Sequence, residues 1–212
     1  MAFDLEEQEK LDELKAWWHR WGNLVSLGIA GILAVAAGWQ WWQNHQAAQA
    51  AEAEAIYTKL MQAVEAGDAK VAREAGGMII DKYAGTGYAA RAALMLAGVN
   101  LRQHDARSAQ AQLEWAVEHT REAGLKDMAR LRLASLLLDD RQYDAAMNQL
   151  NAAHTDAFGP RFNDLKGDVL LAQGKAQEAK AAYDAAYQAL DEKSPMRQLV
   201  GLKLDALGGA AK

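Results

Sequence analysis

Five histidines, His19, His45, His104, His119 and His154, are the side chains best suited to metal or proton chemistry. A helical zinc site needs two of them one turn apart, as in His-Glu-x-x-His. No pair here has that spacing, so solvent-facing or capping roles are expected. The chain contains no cysteine, which removes disulfide scaffolds, thiolate metal sites and thiol nucleophiles together. Glu114, Glu118 and Glu122 recur every four residues and would line one helix face, most simply a solvated one. Gly85-Thr86-Gly87 precedes a helical pattern but follows no strand, so it does not read as a phosphate loop. No G-x-S-x-G or P-loop occurs. The residues therefore assign no catalytic, cofactor-binding or metal site, and a non-enzymatic protein is expected. With 23 Lys and Arg scattered along the chain and a net charge of −5, the basic surface required by nucleic acid is also missing.

The elements that carry these residues read as helical throughout. Only two prolines interrupt 212 residues rich in Ala, Leu, Gln, Glu and Lys, which lose little side-chain freedom in helices. From Arg20 to Glu52 no Asp, Glu, Lys or Arg intervenes, and Gly22 to Trp42 is apolar apart from Asn23, Ser26 and Gln40. Six of the seven tryptophans flank this run, with Trp17, Trp18 and Trp21 before it and Trp39, Trp41 and Trp42 at its end. Indole rings favour membrane interfaces. The helical rise from Trp21 to Trp39 is about 27 Å, close to the thickness of a bilayer's hydrocarbon core. The expected organisation is a cytoplasmic acidic tail (1–21), a transmembrane helix (22–42) and an exported helical domain (43–212).

A cleaved signal peptide is the rival, because Ala48-Gln49-Ala50 resembles a cleavage site. The acidic n-region, the length of the apolar run and the distance from Trp42 to that site oppose it. Lys10, Lys15 and Arg20 precede the span, whereas the next basic residue is Lys59, so the positive-inside rule places the N-terminus in the cytoplasm. The rest would lie in the periplasm of a Gram-negative cell, anchored in the inner membrane by a single pass. The tail carries a net charge of −3 and leaves −2 for residues 43–212. Asp4 and Glu7 fit a capping-box-like start, and Leu11, Leu14, Trp18 and Trp21 form an apolar face. Within the span, Ser26, Ala30, Ala34 and Gly38 make a stripe of small residues on which another membrane helix could pack.

Beyond the span, Gly, Asp and Pro separate helical segments at Ala47–Ala66, Ala69–Tyr83, Tyr88–Gln103, Ala106–Ala123, Lys126–Asp139, Tyr143–Ala153, Arg161–Gln173, Ala176–Leu190 and Pro195–Leu207. Gly76-Gly77 should weaken the second of these. The late segments superimpose at a shift of 34, with Leu137 on Leu171, Asp144 on Glu178 and Ala145 on Ala179. A fainter copy 36 residues upstream places Ala109 under Ala145. A 34-residue helix-turn-helix period is tetratricopeptide (TPR) spacing, and the small residue of the second helix marks a close helix crossing. Ala109, Ala145 and Ala179 are thus the expected repeat-packing positions, while Pro160 and Pro195 should open helices. About three TPR-like units are expected, with an incomplete pair before them and a closing helix after, forming an all-α solenoid. Trp115, flanked by Leu113, Ala116 and Val117, is expected between helices.

The tail ending in Lys15-Ala16-Trp17-Trp18, the segment GWQWWQNHQ from Gly38 to Gln46, and LKGDVLLAQGKAQEAKAAYDAAYQAL from Leu165 to Leu190 resemble the YfgM-type ancillary subunit of the SecYEG translocon. The likeness runs in order over nearly the whole chain. It implies an inner-membrane protein whose periplasmic TPR-like domain associates with the Sec channel and with a membrane-anchored chaperone of the PpiD type. It supplies no catalytic motif and no partner-binding positions. The expected function is a tethered adaptor for exported proteins, with nascent polypeptides as further partners and no cofactor. The alternative is an envelope or cell-division scaffold that uses the same solenoid without Sec contact.

Overall fold

The computed structural model describes residues 2–208. Among them are nine α-helices and one 3-10 turn, with no strand. In chain order the helices are α1 (Ala2–Glu65), α2 (Ala69–Lys82), α3 (Gly87–Arg102), α4 (Ala106–His119), α5 (Ala123–Asp139), α6 (Tyr143–Leu150), α7 (Gly159–Ala172), α8 (Ala176–Ala189) and α9 (Pro195–Ala206). The chain divides into two compact units, one ending at Gln49 and the other beginning at Ala50.

The first unit is helical along its described length. The segments expected separately before and after Trp42 are parts of one helix, because Gln43-Asn44-His45-Gln46 contains neither Pro nor Gly to break it. Its apolar side chains face outward: Leu27 and Ile32 are each 71% exposed. A buried core helix would hide them. The side chains behind the Asp4 and Glu7 capping reading lie outside the described residues, and α1 already includes both positions.

The second unit is a run of paired helices. α2, α4, α6 and α8 each place an alanine, Ala72, Ala109, Ala146 and Ala179, at the fourth helical position with no exposed surface. A side chain this small lets a neighbouring helix pack closely there. Between the helices of each pair, one residue adopts the left-handed conformation: Gly67, His104, Arg141 and Gly174. The following N–H closes back onto the preceding helix, as in Asp105 N to Asn100 O (2.9 Å), Gln142 N to Leu137 O (2.8 Å) and Lys175 N to Leu170 O (2.9 Å). These are Schellman-type stops that satisfy the last carbonyls.

The turns fix the repeat register. Positions 67, 104, 141, 174 and 208 share the left-handed conformation, giving separations of 37, 37, 33 and 34 residues. The sequence shifts of 36 and 34 are therefore each off by one. Ala146, not Ala145, takes the place equivalent to Ala109 and Ala179, and Ala145 is half-buried. The adjacent pair Ala145-Ala146 and the run Leu136-Leu137-Leu138 read almost equally well in either register, so only the turn geometry separates them.

Pro160 and Pro195 stand in the first turns of α7 and α9 as expected. Gly76-Gly77 does not interrupt α2. Gly76 is instead a close approach, where a Cβ would lie 2.7 Å from Leu96 side-chain atoms of α3. Three apolar clusters run through the unit. One joins the end of α1 with α2 and α3, the next spans α3 to α7, and the last joins α7, α8 and α9.

Candidate partner-binding groove and membrane segment

The expected interface tryptophans are all exposed, from 46% at Trp21 to 69% at Trp41. Trp17 and Trp18 lie 6.3 Å apart by ring centroids, Trp39 and Trp42 lie 5.3 Å apart, and Trp41 stacks on His45. The indoles form one aromatic group before the apolar run and another at its end. Ser26, Ala30, Ala34 and Gly38 are exposed along one stripe of the helix, and a Cβ at Gly38 would meet no atom within 4 Å. The most apolar stretch of α1 is almost wholly unburied. This is a helix long and apolar enough to span a bilayer.

In the second unit, α3 and α5 border a groove of about 420 Å³ floored by Leu113 of α4. Ala97, Gly98, Leu101 and Leu136 supply apolar walls, while Arg102, Arg132, Ser135 and Asp139 supply polar groups. Arg132 donates to the Leu94 carbonyl at 3.2 Å, which anchors its guanidinium beside the groove. Leu101 remains 43% exposed. None of these lining residues was singled out as a site by sequence. Leu101 follows the helical period like its buried neighbours, and only the pairing of α3 with α5 creates the space.

A second polar cluster joins α7, α8 and α9. Lys203 Nζ lies 2.7 Å from both Asp164 Oδ1 and Asp168 Oδ1, and the Tyr183 hydroxyl donates to Asp168 at 2.7 Å. Burial raises the Asp164 carboxyl above its ordinary range, with hydrogen bonding from Lys203 opposing the rise. For Lys203, burial acts downward, but the hydrogen bonds to Asp164 and Asp168 outweigh it and hold the ammonium above its usual value. Burial, then the bond to Asp168, pushes the Tyr183 phenol well above the ordinary tyrosine range. The cluster clasps the closing helix. Beneath it, a Cβ at Gly167 would collide with the Tyr183 ring, so glycine is needed where α8 crosses α7.

The remaining chemical candidates disperse. His119 stacks on Trp115 at 4.4 Å, His154 packs on Phe162, and His104 occupies a turn. Among the described residues no three His, Asp or Glu side chains converge on a metal position. The Glu114–Glu118–Glu122 row is shorter than expected because α4 ends at His119. Glu122 instead pairs with Arg91 of α3 at 2.9 Å. Trp115 is half-buried against two of the apolar clusters, between helices. Asp127 carries a role the sequence did not disclose. It is 2% exposed and accepts from Thr155 N (2.9 Å) and Oγ1 (2.8 Å), tying the connection after α6 to α5.

Paired helices, recurrent buried alanines and repeated left-handed turns define a TPR-like repeat protein that carries a helix able to span a membrane. A family model described as a tetratricopeptide repeat-like domain matches residues 15–209. The ancillary SecYEG translocon subunit of Neisseria gonorrhoeae is 31% identical, over 98% of this chain and 100% of its own length. The Haemophilus influenzae protein of the same name is 29% identical over 98% and 100%. The Escherichia coli protein is 29% identical over 57% of this chain and 58% of its own length. The chain belongs to the family of ancillary SecYEG translocon subunits.

Proposed function

We propose that this protein is a non-enzymatic adaptor, anchored in the inner membrane by residues 22–42, that holds its TPR-like domain in the periplasm beside the Sec channel. The observation that carries this reading is the match over 98% of the chain to relatives named as translocon subunits, together with the exposed apolar helix. The bias of Lys10, Lys15 and Arg20 supports a cytoplasmic N-terminus.

Tethering provides the mechanism. A solenoid confined near the membrane surface meets partners at a high effective concentration, so weak groove contacts suffice to retain a chaperone segment or an emerging polypeptide. A membrane-anchored chaperone of the PpiD type is the partner proposed from the family resemblance, and exported chains are its proposed clients.

Co-purification of the full-length protein in mild detergent tests this reading. Recovery of Sec channel subunits, with a periplasmic chaperone, is the expected result. Recovery of envelope-assembly or division proteins without any Sec subunit would replace the adaptor reading with the scaffold one.

A further inference from the structure

We propose that the groove between α3 and α5 takes a short partner segment in which an apolar side chain sits next to a carboxylate. This rests on the adaptor reading and adds the chemistry of the ligand. Leu101 presents most of the exposed hydrocarbon, backed by Leu136 and by the buried Ala97 and Leu113, and the space of about 420 Å³ admits an apolar side chain together with its flanking backbone. Leu101 is a large apolar group left partly in water at the wall, so covering it would be favourable.

Charge selects among apolar ligands. Arg102 and Arg132 face the groove against a single carboxylate, Asp139. This local excess of positive charge departs from the acidic balance of residues 43–212. Arg102 has no hydrogen-bond or ion-pair partner among the described residues, while Arg132 spends one N–H on Leu94 O and keeps the others available. A guanidinium offers a planar fork that a carboxylate can fill with two parallel bonds. The Ser135 hydroxyl adds a group that can both donate to and accept from a peptide backbone. The Lys203 cluster has no such opening, because Asp164, Asp168 and Tyr183 already satisfy one another around the ammonium.

Fluorescence anisotropy on the detergent-solubilised full-length chain tests the proposal, with a labelled peptide of alternating leucine and glutamate as probe. Matched peptides carrying glutamine or lysine in place of glutamate provide the chemical contrast. The glutamate peptide should bind at least about tenfold more tightly than either, the scale of one charge-assisted hydrogen bond. Arg102→Glu should weaken it by a similar factor, Ser135→Trp should block it by filling the groove, and Lys180→Glu on α8 should leave it unchanged. Equal affinity for the three peptides, or undiminished binding by both groove variants, would overturn the proposal. Should either variant fail to fold by thermal melting, the peptide contrast on the unaltered chain still decides. Channel co-purification is scored separately on the unaltered protein. Channel recovered without peptide selectivity sinks the groove assignment alone, and channel absent sinks the adaptor reading.

Discussion

Gly167 has no room for a methyl group because the Tyr183 ring lies against its Cα, held there by the hydroxyl's bond to Asp168. Gly167→Ala must shift that ring, and a cost of about 1 to 3 kcal/mol is expected from overpacking. Gly77, next to the tightly packed Gly76, has open space around it. Gly77→Ala should stabilise the protein by about 0.5 to 1 kcal/mol through lower chain entropy in the unfolded state. Ala179→Leu should be destabilising on the scale of Gly167→Ala, because its site has no exposed surface. Thermal melting of the full-length protein in detergent separates the three. The repeat pointed to a small residue at Ala179 but paired it with Ala145, one residue away from the buried Ala146 that occupies the equivalent place. The roles of Gly76 and Gly167 were not legible. Their partners, Leu96 and Tyr183, belong to other helices, and a glycine seen alone in sequence reads as a helix breaker.

Most of helices α2 to α9 were legible because Gly, Asp and Pro punctuate them, with Asp68 and Asp105 capping α2 and α4 through side-chain oxygens. The break between α4 and α5 falls instead at Thr120–Glu122, which has none of the three, and Gly124 lies inside α5. What the sequence left ambiguous by one residue, the register of the repeats, was settled by the Schellman turns, which depend on backbone conformation at His104 and Arg141 as much as at Gly174. The clasp on α9 was likewise invisible, since Asp164 and Lys203 stand far apart in the chain. Its titration has a definite sign. Tyr183 and Lys203 both bind their protons more tightly when folded, starting from ordinary values of 10.0 and 10.5. Their contribution is fully present below about pH 10 and is lost as pH rises through the folded values. Asp164, also raised, adds a contribution present in acid that fades as pH climbs from 3.8. The melting temperature should therefore fall on raising the pH above 10. Tyr183→Phe should fall less steeply, because the clasp then keeps only its lysine contribution. Parallel alkaline profiles for the two proteins would show that the phenol is not part of the clasp.

At the scale of the whole molecule, the proposed topology places the positive charges of the tail on the cytoplasmic side and everything past the span outside. A reporter active only outside the cytoplasm should work when fused after Lys212, and protease added to spheroplasts should digest the TPR-like domain. Protection of that domain would reverse the orientation. The apolar run was legible because a desert of charge has few explanations, whereas the partner of its small-residue stripe is a property of two chains and cannot be read from one. Photo-crosslinking in living cells addresses that pair directly, using a light-activated residue placed in turn at Ala30, Ala34 and Ile32. Ala30 and Ala34 share the small stripe and Ile32 points to the opposite side of the helix. Channel subunits captured from Ala30 and Ala34 but not from Ile32 are the expected result; no channel subunit captured from any position would contradict an adaptor that sits against the Sec channel.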